Sequence, residues 1–260
     1  MAVWLGAWCG PAVVFVRMLA AGLIAISIPV ILVSTAVRSV ALSEAFYVSG
    51  FTRYNVGRTT GLADAQLRDV ARQFIKYFQS DSGPIAIEVA TPNGPMPLFN
   101  SREIEHMVDV QVIVRWFIDA WAVGGVVLVL GAGLLVVARR CHPERSEGSV
   151  PGLLVVAWRQ VLSRVAWAGA VGSGGTLLIV GLLAASVALD FRQVFLRFHM
   201  LSFANDLWIL DPTRDRLIQL FPLGYFFDAA LYIATHIVAL CGAILLASLI
   251  TIRATFKRPS

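Results

Sequence analysis

Charge is what this sequence has least of. Only 14% of its residues are Asp, Glu, Lys or Arg, while 58% are hydrophobic; soluble domains carry about 25% charged residues. A chain so poor in charge cannot clothe a water-soluble globule, and its composition belongs in a bilayer. The net charge of +5 therefore does not point to nucleic acid, because membrane proteins collect Lys and Arg on one side for topological reasons alone. Cysteine is scarce too: Cys9, Cys141 and Cys241 are the only three, and none falls in 38–111 or 190–228. That excludes a disulfide framework and a cysteine nucleophile from those segments. No HExxH pair is present and no GxSxG elbow occurs in either segment, which removes the usual signatures of a zinc protease and of a serine hydrolase. The Gly-Ser-Gly-Gly run at 172–175 has no following Lys-Ser/Thr and sits within an apolar stretch. It reads as a packing surface, not a phosphate loop.

What remains is four long apolar runs, at 13–37, 112–138, 165–189 and 229–252, each sufficient for a hydrocarbon core that needs roughly 20 helical residues. The first has Arg17 near its start and Pro29 inside it, where a kink is expected, and no basic stretch precedes it as a secretory signal would require. Arg139, Arg140, Arg145, Arg159 and Arg164 crowd the second connection, and Arg253, Lys257 and Arg258 close the chain. This bias predicts an α-helical membrane protein with four transmembrane helices, both termini cytoplasmic, and a small extracytoplasmic cap. The expected divisions are 1–37 (N-terminus and first span), 38–111 (cap), 112–138 (second span), 139–164 (cytoplasmic connector, flexible over 139–152), 165–189 (third span), 190–228 (interfacial segment) and 229–260 (fourth span and tail). Adjacent Cys141 and His142 in the connector are a weak metal signal and read as part of a flexible loop.

Within 38–111, Leu67, Val70, Phe74, Ile75 and Phe78 recur at helical spacing and predict an amphipathic helix over 63–79. A strand-like Ile-Ala-Ile-Glu-Val and a Thr-Pro-Asn-Gly-Pro turn follow. Asn100 with Glu103 three residues on has the form of a capping box, opening a helix on which Arg102, His106, Asp109 and Ile113 fall near one stripe. Segment 197–222 is too polar to cross a bilayer yet carries Phe198, Phe203, Trp208, Ile209, Leu210, Leu217, Ile218 and Phe221. Such a segment belongs where lipid meets water. His106 and His199 come to similar depth in this topology, with Asp109, Asp206, Asp211 and Asp215 nearby. Histidine exchanges protons near neutral pH as few side chains do. His236 lies inside the fourth run, where an ionisable residue is a functional candidate and a helix–helix hydrogen bond explains it equally well.

The motifs LFNSREIEHMVDV before one run and FHMLSFANDLWILDPTRDRLIQLFPLGYFFD between two others resemble the bacterial lipoprotein intramolecular transacylase family. The resemblance implies a bacterial cytoplasmic-membrane enzyme that moves the sn-2 acyl chain of a diacylglyceryl lipoprotein to the α-amine of its N-terminal cysteine. It implies His106 and His199 as catalytic residues, with Arg102, Asp109, Asp211, Asp215 and Trp208 as candidates for orienting a ring or binding substrate. It further implies lipid-modified lipoprotein N-termini and membrane lipid as partners, no nucleic acid, and neither cofactor nor metal. Two readings compete. A metal-dependent membrane hydrolase would use both histidines and an Asp as ligands, and chelators would inhibit it. A non-catalytic assembly factor would keep its phenotype with both histidines replaced.

Overall fold

The structure, a computed structural model, describes residues 11–80, 83–138 and 150–256, with side chains from 158 onward in the last stretch. Cys9, Cys141, His142, Lys257 and Arg258 lie outside the described residues. Among the described residues four long helices are apolar enough to cross a membrane: α1 (Pro11–Ala41), α5 (Ser101–Ala138), α6 (Val150–Ser202, of which Trp158–Ser202 has described side chains) and α8 (Leu223–Phe256). Each of the four apolar runs falls inside one of them. Between α1 and α5 come α2 (Glu44–Arg53), α3 (Val56–Thr60), α4 (Asp64–Gln79) and a hairpin of β1 (Glu88–Thr91) and β2 (Gly94–Pro97); α7 (Arg216–Leu220) precedes α8.

Several helix boundaries differ from the sequence expectation: α1 runs on to Ala41, α8 begins at Leu223, and α6 differs at both ends. Residues 150–164, expected in the cytoplasmic connector, belong to α6, which opens on Val150-Pro151; proline suits a first turn because its missing N–H has no intrahelical role there. Beyond Leu189 the helix breaks at Asp190 (φ −159°, ψ 93°) and restarts. The Asp190 side chain accepts from the Gln193 N–H at 3.1 Å, an N-cap that answers an otherwise orphaned donor. His199 is therefore carried on a helical segment with its own start.

The chain forms two compact units. One comprises Met1–Val33, Ala120–Gly181 and Ile237–Ser260. Small residues set its packing: a Cβ on Gly172 would collide with the Ala25 carbonyl and Ile28, and one on Gly169 with the Ser248 hydroxyl. Gly174 and Gly175 have open space instead, so only part of the small-residue run serves close helix approach.

The other unit comprises Ser34–Asp119 and Leu182–His236. Its core is aromatic: Phe74 packs edge-on against Phe221 at 5.1 Å between centroids and stacks on Tyr47 at 6.1 Å. The amphipathic face of α4 buries Leu67, Val70, Phe74 and Phe78, as its spacing predicts, and Ala71 and Tyr77 as well, while Ile75 of the same expected set is half-buried against that core. In the hairpin Thr91 faces Gly94, whose φ of +110° is a conformation other residues rarely adopt. Gln66 and Gln73 amides of α4 donate to the Ala90 and Glu88 carbonyls, tying the hairpin to the helix. Gly50 and Gly224 leave room for the rings of Tyr225 and Tyr54 respectively. Tyr54 and Arg53 both donate to Asp228, at 2.9 and 2.8 Å.

Candidate active site

The site lies wholly within this second unit, and it starts from a helix cap. Asn100 Oδ1 accepts from the Glu103 N–H at 3.1 Å, and Glu103 Oε2 accepts from the Asn100 N–H at 2.8 Å: the reciprocal capping box. The cap then reaches further than local sequence suggests. Glu103 is 1% exposed and its second oxygen accepts from the Leu217 N–H at 2.6 Å. The Asn100 amide donates to Asp215 at 3.0 Å, and Asp215, also 1% exposed, accepts from the Asp211 N–H at 2.7 Å. Buried carboxylates need their oxygens answered, and here the answering donors come from Asn100 and from 211–217. The start of α5 and the chain ahead of α7 are thus one polar knot.

Two further contacts lay 203–210 along the next turns of α5. Arg102 donates to the Asp206 carbonyl, and the Asn205 amide donates to Asp109 at 2.9 Å. Asn205 also accepts from the Leu207 N–H, shaping the turn that brings Trp208 back.

This arrangement brings together His106, one turn beyond Glu103, and His199. Their rings are 6.3 Å apart between centroids and tilted by 31°. Both are buried, at 6% and 8% exposure. Aromatic side chains make the walls: Phe203 meets His106 at 5.1 Å and His199 at 5.5 Å, Phe195 lies 4.2 Å from His199, and Trp208 5.1 Å from it. His199 Nδ1 is 2.8 Å from the Phe195 carbonyl. A carbonyl oxygen only accepts, so Nδ1 carries the proton and the neutral ring presents a lone pair at Nε2. His106 Nδ1 is buried with no hydrogen-bond partner among the described residues, as is Nε of Arg102.

Both histidines fall outside the apolar runs 112–138 and 165–189, and burial dominates their protonation. His106 is pushed down to about 4, first by burial, then by the neighbouring His199, with Asp109 opposing and Arg102 adding a small lowering. Burial likewise lowers His199, against the favourable bond to Phe195. Two neutral imidazoles at pH 7 follow.

The other candidates have other partners. Asp211 accepts from the Thr213 N–H and hydroxyl, at 2.9 and 2.7 Å, which hold its carboxyl below the usual range. Neither Asp211 nor Asp215 is bonded to an imidazole; a backbone carbonyl, not a carboxylate, orients His199. Asp109 is held by Asn205 and acts on His106 only through its charge. His236 bonds the Tyr232 carbonyl at 2.9 Å and stacks on that ring at 4.0 Å. Among the described residues no group of three His, Cys, Asp or Glu is arranged to hold a metal ion. Sequence reasoning did not find Phe195, Asn205 or the N-cap at Asp190. The signals were faint: an Asp ending an apolar run, and an aromatic residue four before a histidine.

Residues 22–226 match the family model described as "Lipoprotein intramolecular transacylase Lit". Among solved structures, the membrane-integral lipoprotein intramolecular transacylase Lit from Bacillus cereus is similar, with a TM-score of 0.66 and 19% identity over 94% of this chain and 99% of that one. A form of that protein with one histidine changed to alanine matches with a TM-score of 0.62 at 18% identity, covering 94% and 96%. A form with histidine changed to arginine gives 0.58 at 19% identity, covering 95% and 96%. Curated protein sequences give no match.

Proposed function

The chain belongs to the lipoprotein intramolecular transacylase family, a multi-pass membrane enzyme by its family and its four apolar helices, and from that premise we propose that it moves the sn-2 acyl chain of a diacylglyceryl lipoprotein to the α-amine of that lipoprotein's N-terminal cysteine. The observation that carries this reading is the pair of buried imidazoles 6.3 Å apart, one with its Nε2 lone pair directed by a backbone bond. Nucleophile and electrophile belong to one substrate molecule, so proximity replaces a bimolecular encounter and no acyl-enzyme is needed.

His199 is the base. An α-amine with a pKa of about 7.7–8.0 is mostly protonated at neutral pH, and Nε2 of His199 takes the proton that keeps it inert. The amine nitrogen then attacks the sn-2 carbonyl carbon. His106, neutral because it is buried, donates an N–H to the oxyanion, with Arg102 as a second donor. The carbon–oxygen ester bond breaks as the amide forms. Between ammonium and amide the nitrogen gives up two protons: one reaches the departing glycerol oxygen through an imidazole and the other is released to solvent, which returns both rings to the neutral form. Trp208 and Phe203 line the site as apolar walls for the acyl chain, and the Asn100–Glu103–Asp215 knot holds both rings in register.

The arginine asymmetry supports placing the termini and residues 139–149 in the cytoplasm of a bacterial cell, with 38–111 and the polar part of 190–228 outside. Reporter fusions after Gly94 and after Thr213 are expected to read outside and one after Gly148 inside. The direct test of activity is mass spectrometry of one lipoprotein's N-terminal peptide from cells with and without this protein. Base-resistant N-acyl on a lyso-glyceryl cysteine, present only with the protein, is the expected pattern. An unchanged diacylglyceryl peptide would overturn the proposal.

A further inference from the structure

The first unit holds a cavity of about 1050 Å³ at the end where α1 and α6 begin and α8 finishes. Its lining includes Arg17 of α1, Arg159 and Arg164 of α6, and Thr255 of α8. The sequence makes the space: α1 presents Ala21, Gly22 and Ala25 to it, and a Cβ on Gly22 would meet nothing within 4 Å.

Two of the arginines are fixed by the backbone. Arg17 donates to the Ala138 carbonyl at 3.1 Å and Arg159 to the Ala254 carbonyl at 3.0 Å. Both acceptors lie in the last turn of a helix, where carbonyls lack intrahelical partners and the helix is partially negative. The guanidinium groups are thereby pinned to the cavity wall. Among the described residues that line it there are three arginines and no Asp or Glu, so the lining is positively charged. Trp167 and Phe256, also in its lining, are 52% and 71% exposed, as aromatic side chains are at headgroup depth.

We propose that this cavity binds the headgroup of one anionic phospholipid, distinct from the substrate of the acyl-transfer site. Arginine forks match the geometry of phosphate oxygens, and basic pockets between transmembrane helices are where such headgroups lodge. Gln160, Ser163 and Thr255 supply neutral polar groups beside the arginines, while Ala25 and Val171, deeper in their helices, continue the wall as apolar surface for the acyl chains. Topological charge bias alone explains arginines at helix ends, but not a cavity between them. Arg253, exposed and outside the lining, is the internal control.

The test is native mass spectrometry of the full chain in detergent, titrated with phosphatidylglycerol and with phosphatidylcholine. One phosphatidylglycerol retained in preference to phosphatidylcholine is expected. The double variant R17Q/R164Q should weaken retention about 30-fold, each charge contributing about fivefold. G22L keeps every charge but places a side chain inside the cavity, and should also weaken retention; R253Q should not. Excess inorganic phosphate should leave the lipid bound. Equal retention of phosphatidylcholine would overturn the proposal, as would displacement by phosphate, which would mark a phosphate site. So would phosphatidylglycerol retention undiminished by G22L, the variant that decides the matter where R17Q/R164Q fails to accumulate.

Discussion

The polar knot at the start of α5 and the imidazole pair one turn beyond it are built on opposite principles. In the knot, Asn100, Glu103 and Asp215 answer one another and the N–H groups of Asp211 and Leu217. In the pair, His106 Nδ1 and the adjacent Arg102 Nε are buried with no hydrogen-bond partner among the described residues. A satisfied buried network rigidifies its surroundings, while an unanswered buried donor or acceptor costs free energy that the fold must supply. The contrast teaches where to look for chemistry: next to the well-answered groups, among the ones left open.

Breaking the knot should have the largest effect on the protein itself. Glu103→Ala leaves the Asn100 and Leu217 N–H groups without their acceptor, at about 1–3 kcal/mol for each buried group. We expect it to accumulate poorly in membranes; normal accumulation and stability would contradict the knot's structural role. Asn100→Ala removes the cap and one Asp215 donor. About 1 kcal/mol of stability should go, read as a lower unfolding temperature, with conversion per folded molecule reduced far less than by loss of His106. An Asn100→Ala protein as inactive as His106→Ala would put Asn100 in the chemistry.

The open pair should respond to acid. Both folded-state values lie below the ordinary imidazole range, so the unfolded chain binds more protons between about 6.5 and the folded values. Stability is then full above about 6.5 and declines as pH falls toward 4. His106→Asn should flatten that decline in a thermal-unfolding series, and an unchanged slope would show that other groups cause it. His236→Gln should have the smallest effect, since its ring bonds only its own helix turn and stacks on Tyr232: a modest drop in protein level, with conversion per molecule unchanged.

Much of this was legible in the sequence because its physics is local. Apolar length marks the helices, the period of Leu67, Val70, Phe74 and Phe78 marks α4, and Asn100 with Glu103 marks the cap. Periodicity did not reveal that Glu103 and Asp215 are buried, because burial of a charge depends on donors more than a hundred residues away. The same holds for the orientation of His199. Asp109, Asp211 and Asp215 are candidates for orienting a ring, while the Nδ1 bond of His199 goes to the Phe195 carbonyl, the residue one helical turn before it. The extension of α6 back to Val150 was hidden by its Pro and Gly, which punctuate loops more often than they open helices.

The central claim is that His106 and His199 act as one unit while the knot only positions them. The measurement that tests it most directly is conversion of one lipoprotein's N-terminal peptide per molecule of membrane-inserted protein, for His106→Ala, His199→Ala and the double variant. Groups that work as a unit cost nearly as much to remove singly as together. Each single variant should therefore lose N-acyl product while still accumulating, with the double no worse than either. Full conversion by the double variant, or losses that multiply from single to double, would contradict the account.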